Sequence, residues 1–220
     1  MTVQKRTVET RDALIEAAVE IFGRNGFHAA SNRELADRAG VNSALISYHF
    51  GGKTGLYLAT FQSIMEQIAA NLQPVAEQLR ADIAAIHADP VDRNARCLAS
   101  MEKLLFSMLD MLSQEKASAW AMLILREQQQ PTEAFEILYQ GIFKNLLEIL
   151  STLIALAIDG DPKNKTIRLS ALTLIAQILV VRTLRATVMR HMAWKKISTR
   201  EIRDIREQIS VTLHARFARR

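Results

Sequence analysis

The sequence has 220 residues and a net charge of +5; 49% of the residues are hydrophobic, 23% are charged and 6% are aromatic. This composition can bury a core in one or two domains, and it differs from that of disordered or collagen-like chains. Only 8 glycines and 4 prolines are present, too few for the turns of a many-stranded sheet. We therefore expect an all-α fold and exclude an all-β one.

Cysteine and histidine spacing gives no sign of a disulfide or a structural metal site. Cys97 is the only cysteine, and neither C-x-x-C nor H-x-x-x-H occurs, so we expect no bound metal. The N-terminal residues lack the apolar stretch of a signal peptide. The longest apolar stretches, 146–158 and 169–181, are 13 residues each, and a membrane span needs about 20. We expect a cytoplasmic protein that makes no membrane contact.

Apolar residues recur with a period near 3.6 between sparse glycines and prolines, a pattern that predicts helices along the chain. The fourth helix is expected to bend or break at Pro74, and its start at Thr54 should couple the two parts of the chain rigidly. The helices before Lys53 are short and those after it are long, so we divide the chain into domains at residues 1–53 and 54–220. The predicted helices cover 9–25, 32–39, 43–50, 54–88, 91–113, 115–129, 132–158, 163–192 and 199–217.

Recognisable capping signals separate the first three predicted helices. Gly26 ends helix 1 and allows Phe27 to fold back on it. Ser31 and Glu34 form an S-x-x-E capping box at the start of helix 2, and Gly40 ends that helix. Two short helices joined by a glycine turn are typical of a helix-turn-helix motif, whose second helix enters the DNA major groove. An ordinary helical hairpin carries the same signals, so spacing alone leaves both interpretations open.

Helix 3 carries the side chains expected to read DNA. Asn42 is a good N-cap for this helix, and Ile46 and Phe50 are predicted to point inward. A groove-reading face needs small or hydrogen-bonding side chains. On helix 3 these are Ser43, Ala44, Ser47, Tyr48 and His49.

Two sequence runs near the N-terminus match a known family pattern. They are S-N-R-E-L-A-D-R-A-G-V at 31–41 and I-S-Y-H-F-G-G-K-T-G-L-Y at 46–57, with a Y-H-F-x-x-K-x-x-L signature that begins at Tyr48. This region resembles the DNA-binding domain of the TetR family of bacterial transcriptional repressors. Ser47 departs from the pattern, since many members have Tyr there. In addition, R-E-x-x-x-P-T at 126–132 and the apolar helices around it resemble the CecR type of TetR-family effector domain.

The resemblance implies a sequence-specific transcriptional regulator. It would be a homodimeric repressor that binds a palindromic double-stranded DNA operator and is released by a small-molecule effector. By position, Arg33, Ser43 and Ala44 would face base edges, since arginine can bond guanine and a methyl group can touch thymine. Ser47 would reach less far toward a phosphate than the usual Tyr. The implied phosphate contacts are Asn32, Tyr48, His49 and Lys53.

Several of these contacts have a structural alternative. Arg33 can be a surface arginine, His49 a partly buried histidine, and Lys53 a partner for the C-terminal dipole of helix 3. Lys5, Arg6 and Arg11 can contact the DNA backbone or the minor groove, or be solvated. The residues alone therefore leave each of these roles open.

Residues 54–220 carry no recognisable catalytic motif. The patterns G-x-S-x-G and H-E-x-x-H and a phosphate-binding glycine loop are missing from the sequence, so we expect no enzyme activity and no cofactor. Long apolar helices with embedded polar groups are how small-molecule sites are built. Alternatively, the aromatic side chains are core and the arginines pair with a glutamate or a backbone carbonyl. The predicted effector-site residues are Trp120, Tyr139 and Phe143 as apolar walls and Arg126 or Arg182 as an anchor for an anion.

The two C-terminal helices form the predicted dimer interface. The helix over 163–192 is apolar on more than one face, and packed against a second copy the pair would make a four-helix bundle. Residues 190–220 hold 9 Lys/Arg against 3 Asp/Glu, which we interpret as a solvated helix face rather than a DNA contact. The predicted interface residues are Leu172, Ile175, Ile178, Leu179, Ile205, Ile209 and Leu213.

Two other functions stay open on the sequence. A helical-bundle enzyme or adaptor with a helix-turn-helix-like hairpin would show no DNA sequence preference in a salt-dependent gel shift. A constitutive DNA-binding protein without an effector would not be released from DNA by a ligand.

Overall fold

The computed structural model describes residues 3–114 and 117–218, and the side chains of residues 3–6 and 118 lie outside the description. The described part of the chain is helical and contains no strand, which confirms the all-α prediction. A five-residue π-helical turn, Tyr139–Phe143, joins α7 to α8. The α-helices are α1 (Val3–Ala29), α2 (Asn32–Ala39), α3 (Ala44–Phe50), α4 (Lys53–Ala88), α5 (Arg93–Ser113), α6 (Ala117–Gln129), α7 (Glu133–Leu138), α8 (Lys144–Ile158), α9 (Lys165–Thr183), α10 (Arg185–His191) and α11 (Thr199–Phe217).

The helix boundaries differ from the sequence prediction at a few points. α4 continues through Pro74 instead of breaking there, because the fixed φ of proline is close to the helical value and only one ladder donor is lost. The predicted helix over 163–192 is interrupted at Leu184, whose φ of −108° and ψ of 30° lie outside the helical range. The π-helical turn interrupts the predicted helix over 132–158.

The chain groups into two compact units. Unit 1 contains Met1–Ala69 and Glu115–Ile142, and unit 2 contains Ala70–Gln114 and Phe143–Arg220. Helix α4 therefore supplies residues to both units. These units are defined by packing. The predicted boundary at residue 53 instead separates a DNA-binding region from an effector-binding and dimerisation region, and it stays a prediction.

The core of unit 1 is built on the apolar face of α1. Helix α6 packs closely on α1, since a Cβ atom placed on Gly23 would lie 2.9 Å from the carbonyl oxygen of Ala119. A larger residue at position 23 would push the two backbones apart. The fully buried side chains of this core include Leu14, Phe22, Leu35, Ile46, Leu56, Phe61 and Leu123.

Helices α5, α8, α9 and α11 form the core of unit 2. The side-chain amide of Asn94 donates to the carbonyl oxygens of Ala157 at 3.0 Å and Phe217 at 2.8 Å. The start of α5 is thereby hydrogen-bonded to the ends of α8 and α11. The fully buried side chains include Leu104, Leu105, Leu150, Leu153, Ile154, Ile178 and Leu213.

Two helical segments are long and apolar enough to cross a membrane by length and composition, Glu133–Ile158 and Lys165–Thr183. Within their most apolar windows, 50% and 39% of the residues are buried inside the chain. Core helices of soluble proteins pass the same test, so these segments are weak evidence for a membrane.

Candidate functional site

Capping residues stand at both ends of α2 and at the start of α3. The Ser31 side chain accepts a hydrogen bond from the Glu34 amide at 3.1 Å. Gly40 ends α2 with φ 68°, ψ 32°, in the left-handed region that suits glycine. The Asn42 side chain accepts from the Ala44 amide at 2.8 Å, as expected of an N-cap. The local sequence therefore determines the helix-turn-helix geometry.

The capping box predicted at Ser31 differs in one half from the structure. The Glu34 carboxylate, expected to accept from the Ser31 amide, accepts instead from the side-chain amide of Asn25 at 2.7 Å. Asn25 lies near the end of α1, so this bond connects α1 to α2. A tertiary partner has replaced the local one.

The exposed surface of α2 and α3 contains most of the side chains predicted to contact DNA. The Arg33 side chain is 90% exposed and lies 3.7 Å from the Asp37 carboxylate. Tyr48 is 76% exposed, although it is a large side chain with apolar surface. Ile46, on the other side of α3, is fully buried. Also exposed are Asn32, Ser43, Ala44 and Ser47, while His49 is half-buried.

Lys53 has partners that the sequence did not indicate. Its side chain is half-buried, and the ammonium donates to the carbonyl oxygen of Ala30 at 2.8 Å. The same ammonium lies 4.6 Å from the centre of the Phe27 ring. An ammonium has three donors, so these contacts leave capacity for a phosphate. The side chains of Lys5 and Arg6 lie outside the described residues.

The junction of α3 and α4 requires a glycine at position 55. A Cβ atom built on Gly55 would lie 1.8 Å from the carbonyl oxygen of Phe50, well inside van der Waals contact. The last residue of α3 therefore packs directly on the backbone of α4. The sequence indicated this close contact only by a glycine within the first turn of a helix.

Arg126 of α6 is hydrogen-bonded to the backbone of α1. Its Nε atom donates to the carbonyl oxygen of Gly23 at 3.2 Å, and a terminal nitrogen donates to that of Arg24 at 2.9 Å. Arg126 thus makes the backbone contacts that the sequence offered as the alternative to an effector contact. The proposed role of Arg126 as an effector anchor stays a prediction.

Glu127 is a buried carboxylate that the sequence analysis did not place in a site. Its side chain is 1% exposed and accepts hydrogen bonds from the hydroxyls of Tyr57 and Thr132, each at 2.8 Å. The Thr132 amide also donates to it. Burial, followed by the bond to Glu127, raises the pKa of Tyr57, so this tyrosine remains a neutral donor.

The predicted effector-site residues are divided between the two units. Trp120 is buried, and Tyr139 stacks on Phe135 with ring centres 6.1 Å apart; both belong to unit 1 with Arg126. Phe143 and Arg182 belong to unit 2. Arg182 lines a small cleft, where burial, and secondarily the charge of Arg185, lowers its pKa. The cleft also contains Leu109, Leu112, Ser113, Ile178, Val181, Arg185 and Ile197.

The predicted dimer residues differ in exposure. Ile175, Ile178, Ile209 and Leu213 are buried within the chain, and Leu179 and Ile205 are half-buried. Leu172 is 51% exposed. It belongs to a row at three- and four-residue spacing on one face of α9, which we call the α9 apolar stripe. The stripe consists of the exposed residues Leu169, Leu172, Ala176, Val180 and Leu184, the last at the end of the helix.

Sequence comparison identifies both parts of the chain. Residues 14–60 match the model of bacterial regulatory proteins of the tetR family. Residues 98–217 match the C-terminal domain of the HTH-type transcriptional dual regulator CecR. CecR of Shigella flexneri is 30% identical over 206 residues, which cover 94% of this chain and 89% of CecR.

Solved structures share the fold at low sequence identity. FadR from Bacillus subtilis, determined in complex with stearoyl-CoA, has a TM-score of 0.60 and 18% identity, with 92% of this chain and 96% of that chain covered. AibR, determined with isovaleryl coenzyme A and operator DNA, has a TM-score of 0.63 and 16% identity, with coverage of 92% and 97%. At these identities the likeness is one of fold.

The family matches agree with the helix-turn-helix geometry and with the sequence resemblance. They also confirm the prediction that the chain is a regulator rather than an enzyme. Members are soluble regulators that bind operator DNA, respond to small-molecule effectors and act as dimers. The chain belongs to the TetR family of bacterial transcriptional regulators, with a C-terminal domain of the CecR type.

Proposed function

We propose that α3 enters the major groove of an operator and that the exposed residues of α2 and α3 make the contacts. The main support for this proposal is the difference between the two sides of α3. Tyr48 is 76% exposed, whereas Ile46 on the other side is fully buried. Arg33, Ser43 and Ala44 face base edges. Asn32, Ser47, Tyr48, His49 and Lys53 lie along the phosphates.

The operator is an inverted repeat, and the protein acts on it as a cytoplasmic repressor. Each protomer of a dimer supplies one α3, so the symmetry of the dimer is copied in the DNA site. Two such helices reach successive major grooves when they are about 34–36 Å apart, one turn of the duplex.

The dimer forms through the α9 apolar stripe, with α11 as the second helix contributed by each protomer. Exposed apolar side chains in a continuous row mark an interaction surface more often than scattered ones do. Two copies of such a row meet across a two-fold axis in a four-helix bundle. Leu172, which is 51% exposed, is the one predicted interface residue that lies on this row.

The effector is an anionic molecule with an apolar part, and an acyl-CoA is the first compound to test. FadR and AibR were both determined with acyl-CoA molecules. In this chain Arg182 and Arg185 border apolar residues of the unit 2 cleft, which gives a cation beside an apolar wall. Trp120, Tyr139 and Phe143 are also proposed as apolar effector contacts, each within its own unit, and Arg126 is proposed as a second anchor.

The symmetry of the operator is tested by selecting bound duplexes from a random DNA pool and footprinting the protein on the duplex that it binds most tightly. We expect an inverted repeat with equal protection of both halves. A single asymmetric site would overturn the proposal that the two α3 helices of a dimer bind two symmetric half-sites.

Titration of the protein–operator complex with stearoyl-CoA and isovaleryl-CoA then tests whether an effector releases the protein from DNA. Reciprocity requires operator DNA to weaken acyl-CoA binding by the same factor as the acyl-CoA weakens operator binding. Unchanged operator affinity with both compounds would overturn the acyl-CoA proposal.

A further inference from the structure

Helix α6 is hydrogen-bonded to the end of α1 at the point where α1 changes direction. Gly26 has φ 79° and ψ 169°, which interrupts the helix. The carbonyl oxygens of Gly23 and Arg24, in the turn before this break, accept hydrogen bonds from Arg126. A Cβ atom on Gly26 would lie 3.3 Å from a terminal nitrogen of Arg126, so the guanidinium occupies the space beside this glycine.

The next residue of α6 is bonded to α4. Glu127 accepts from the Tyr57 hydroxyl across 70 positions of sequence, and the pair is buried. The Tyr57 ring lies 5.0 Å from the ring of Phe22 and 4.9 Å from that of Phe27, measured between ring centres. Glu127 is thereby connected, through the Tyr57 hydroxyl, to the aromatic cluster between α1 and α4.

The aromatic cluster leads directly to the start of α4. The Phe27 ring lies under the ammonium of Lys53, and Lys53 is the first residue of α4. Lys53 is in turn bonded to Ala30, just before α2. Consecutive residues of α6 thus hold both helices that flank the helix-turn-helix, although they are about seventy and a hundred residues away in sequence.

We infer that Arg126 and Glu127 are positioning residues for operator binding. The inference rests on the proposed role of α3 in reading the operator. Neither side chain needs to touch DNA; they hold α1 and α4 in the arrangement that presents α2 and α3 together. Base readout depends on this geometry to within a fraction of an ångström, whereas non-specific attraction to phosphates depends mainly on the number of cations.

This difference makes the inference testable with Arg126→Met and Glu127→Gln. Arg126→Met keeps the apolar stem but removes the donors, and Glu127→Gln keeps the shape but removes the charge. We expect each to lower the ratio of operator affinity to scrambled-duplex affinity by about tenfold. Affinity for the scrambled duplex and its dependence on salt should stay within about twofold of wild type.

Two variants make the result specific. Gln128→Ala changes an exposed residue of the same helix and should leave the ratio unchanged. Arg126→Lys retains a donor within reach of one carbonyl and should recover part of the ratio lost in Arg126→Met. If Arg126→Met does not fold by circular dichroism, the comparison is made with Arg126→Lys and Glu127→Gln.

The possible outcomes separate this inference from the proposed function. If wild type shows no preference for any duplex, the proposed function of α3 in operator recognition is overturned, and the positioning inference is overturned with it. If wild type prefers its operator and Tyr48→Phe weakens binding, but folded Arg126 and Glu127 variants keep the wild-type ratio, the positioning inference is overturned. Equal loss of operator and scrambled-duplex affinity in folded variants would also overturn it.

Discussion

The ammonium of Lys53 donates a hydrogen bond to the carbonyl oxygen of Ala30 at 2.8 Å, so the first residue of α4 is bonded to the loop that precedes α2. A residue whose motif position suggests a DNA contact is therefore also part of the framework of the DNA-binding unit. We therefore expect substitution of Lys53 to change both stability and DNA affinity, and the two effects have to be measured separately.

Lys53→Ala and Tyr48→Phe distinguish a structural role in the DNA-binding unit from a direct contact with DNA. Lys53→Ala should lower the free energy of unfolding by about 1–2 kcal/mol because a charge-assisted bond is lost. It should also reduce the salt dependence of DNA binding by about one counterion per protomer. Tyr48→Phe, at a 76% exposed side chain, should leave the melting temperature unchanged and weaken all duplexes alike. An unchanged salt slope for Lys53→Ala would restrict Lys53 to its structural role.

Arg33→Ala should relax base preference without affecting stability. Its side chain is 90% exposed and its ion pair with Asp37 spans 3.7 Å, so little folding energy is at stake. We expect the preference at one base pair per half-site to fall by about 1–3 kcal/mol. The measurement is a binding series on operators with single base changes. Asp37→Ala is the control, and equal relaxation in both variants would assign the effect to the ion pair.

Gly55→Ala should disrupt the junction between α3 and α4. The added methyl group would lie 1.8 Å from the carbonyl oxygen of Phe50, so the backbones must separate at a cost of about 3 kcal/mol or more. Thermal unfolding should shift to lower temperature and operator affinity should fall steeply. Thr54→Ala, at the exposed neighbouring position, should have little effect on stability. A stable Gly55→Ala protein with wild-type affinity contradicts this tight junction.

Stability above pH 10 should depend on Tyr57. Burial and the bond to Glu127 raise its pKa above the ordinary value of 10.0, so the folded protein keeps the phenol neutral while the unfolded chain ionises. The stabilisation is complete below the unfolded pKa and is lost as the pH rises through and above it. Denaturant unfolding should therefore show the advantage of wild type over Tyr57→Phe beginning to fall between about pH 9 and pH 11, with further loss as the pH rises toward the raised pKa of the folded protein. A constant difference over that interval would mean that the pKa is unshifted.

Leu172→Asp and Ile178→Asp should fail in different ways. Leu172 is 51% exposed on the α9 apolar stripe, whereas Ile178 is fully buried in unit 2. Leu172→Asp should give a folded monomer, because its charge remains solvated in a single protomer but not in the interface. Ile178→Asp should lose more than about 3 kcal/mol of stability and aggregate. Sedimentation with circular dichroism distinguishes them, and a folded Leu172→Asp dimer places the interface elsewhere.

Sequence patterns predicted the structure best where the determining interactions are local. The bounds of α2 and α11 match the prediction, since both helices begin at a capping serine, and Gly40 ends α2 as expected. Asn42 also caps as predicted. Such signals depend on residues within four positions of one another.

The interactions that the sequence did not predict are long-range ones. Glu127 and Tyr57 are 70 positions apart, and Arg126 and Gly23 are 103 positions apart, so periodicity along one helix contains no information about either pair. The sequence predicted apolar residues on several faces of α9 but did not indicate which row is exposed. A helix with apolar residues on several faces does not indicate which row its own core covers.

A dimer contact through the α9 apolar stripe would make the activity of this regulator depend on its abundance in the cell. The larger side chains of the stripe are 37% to 57% exposed in the single protomer, and pairing would remove them from water. If the stripe forms the dimer contact, operator occupancy at low expression rises with the square of the protomer concentration, by mass action. A twofold change in synthesis then changes occupancy by about fourfold, so regulation of its own gene would have a steep effect without any effector.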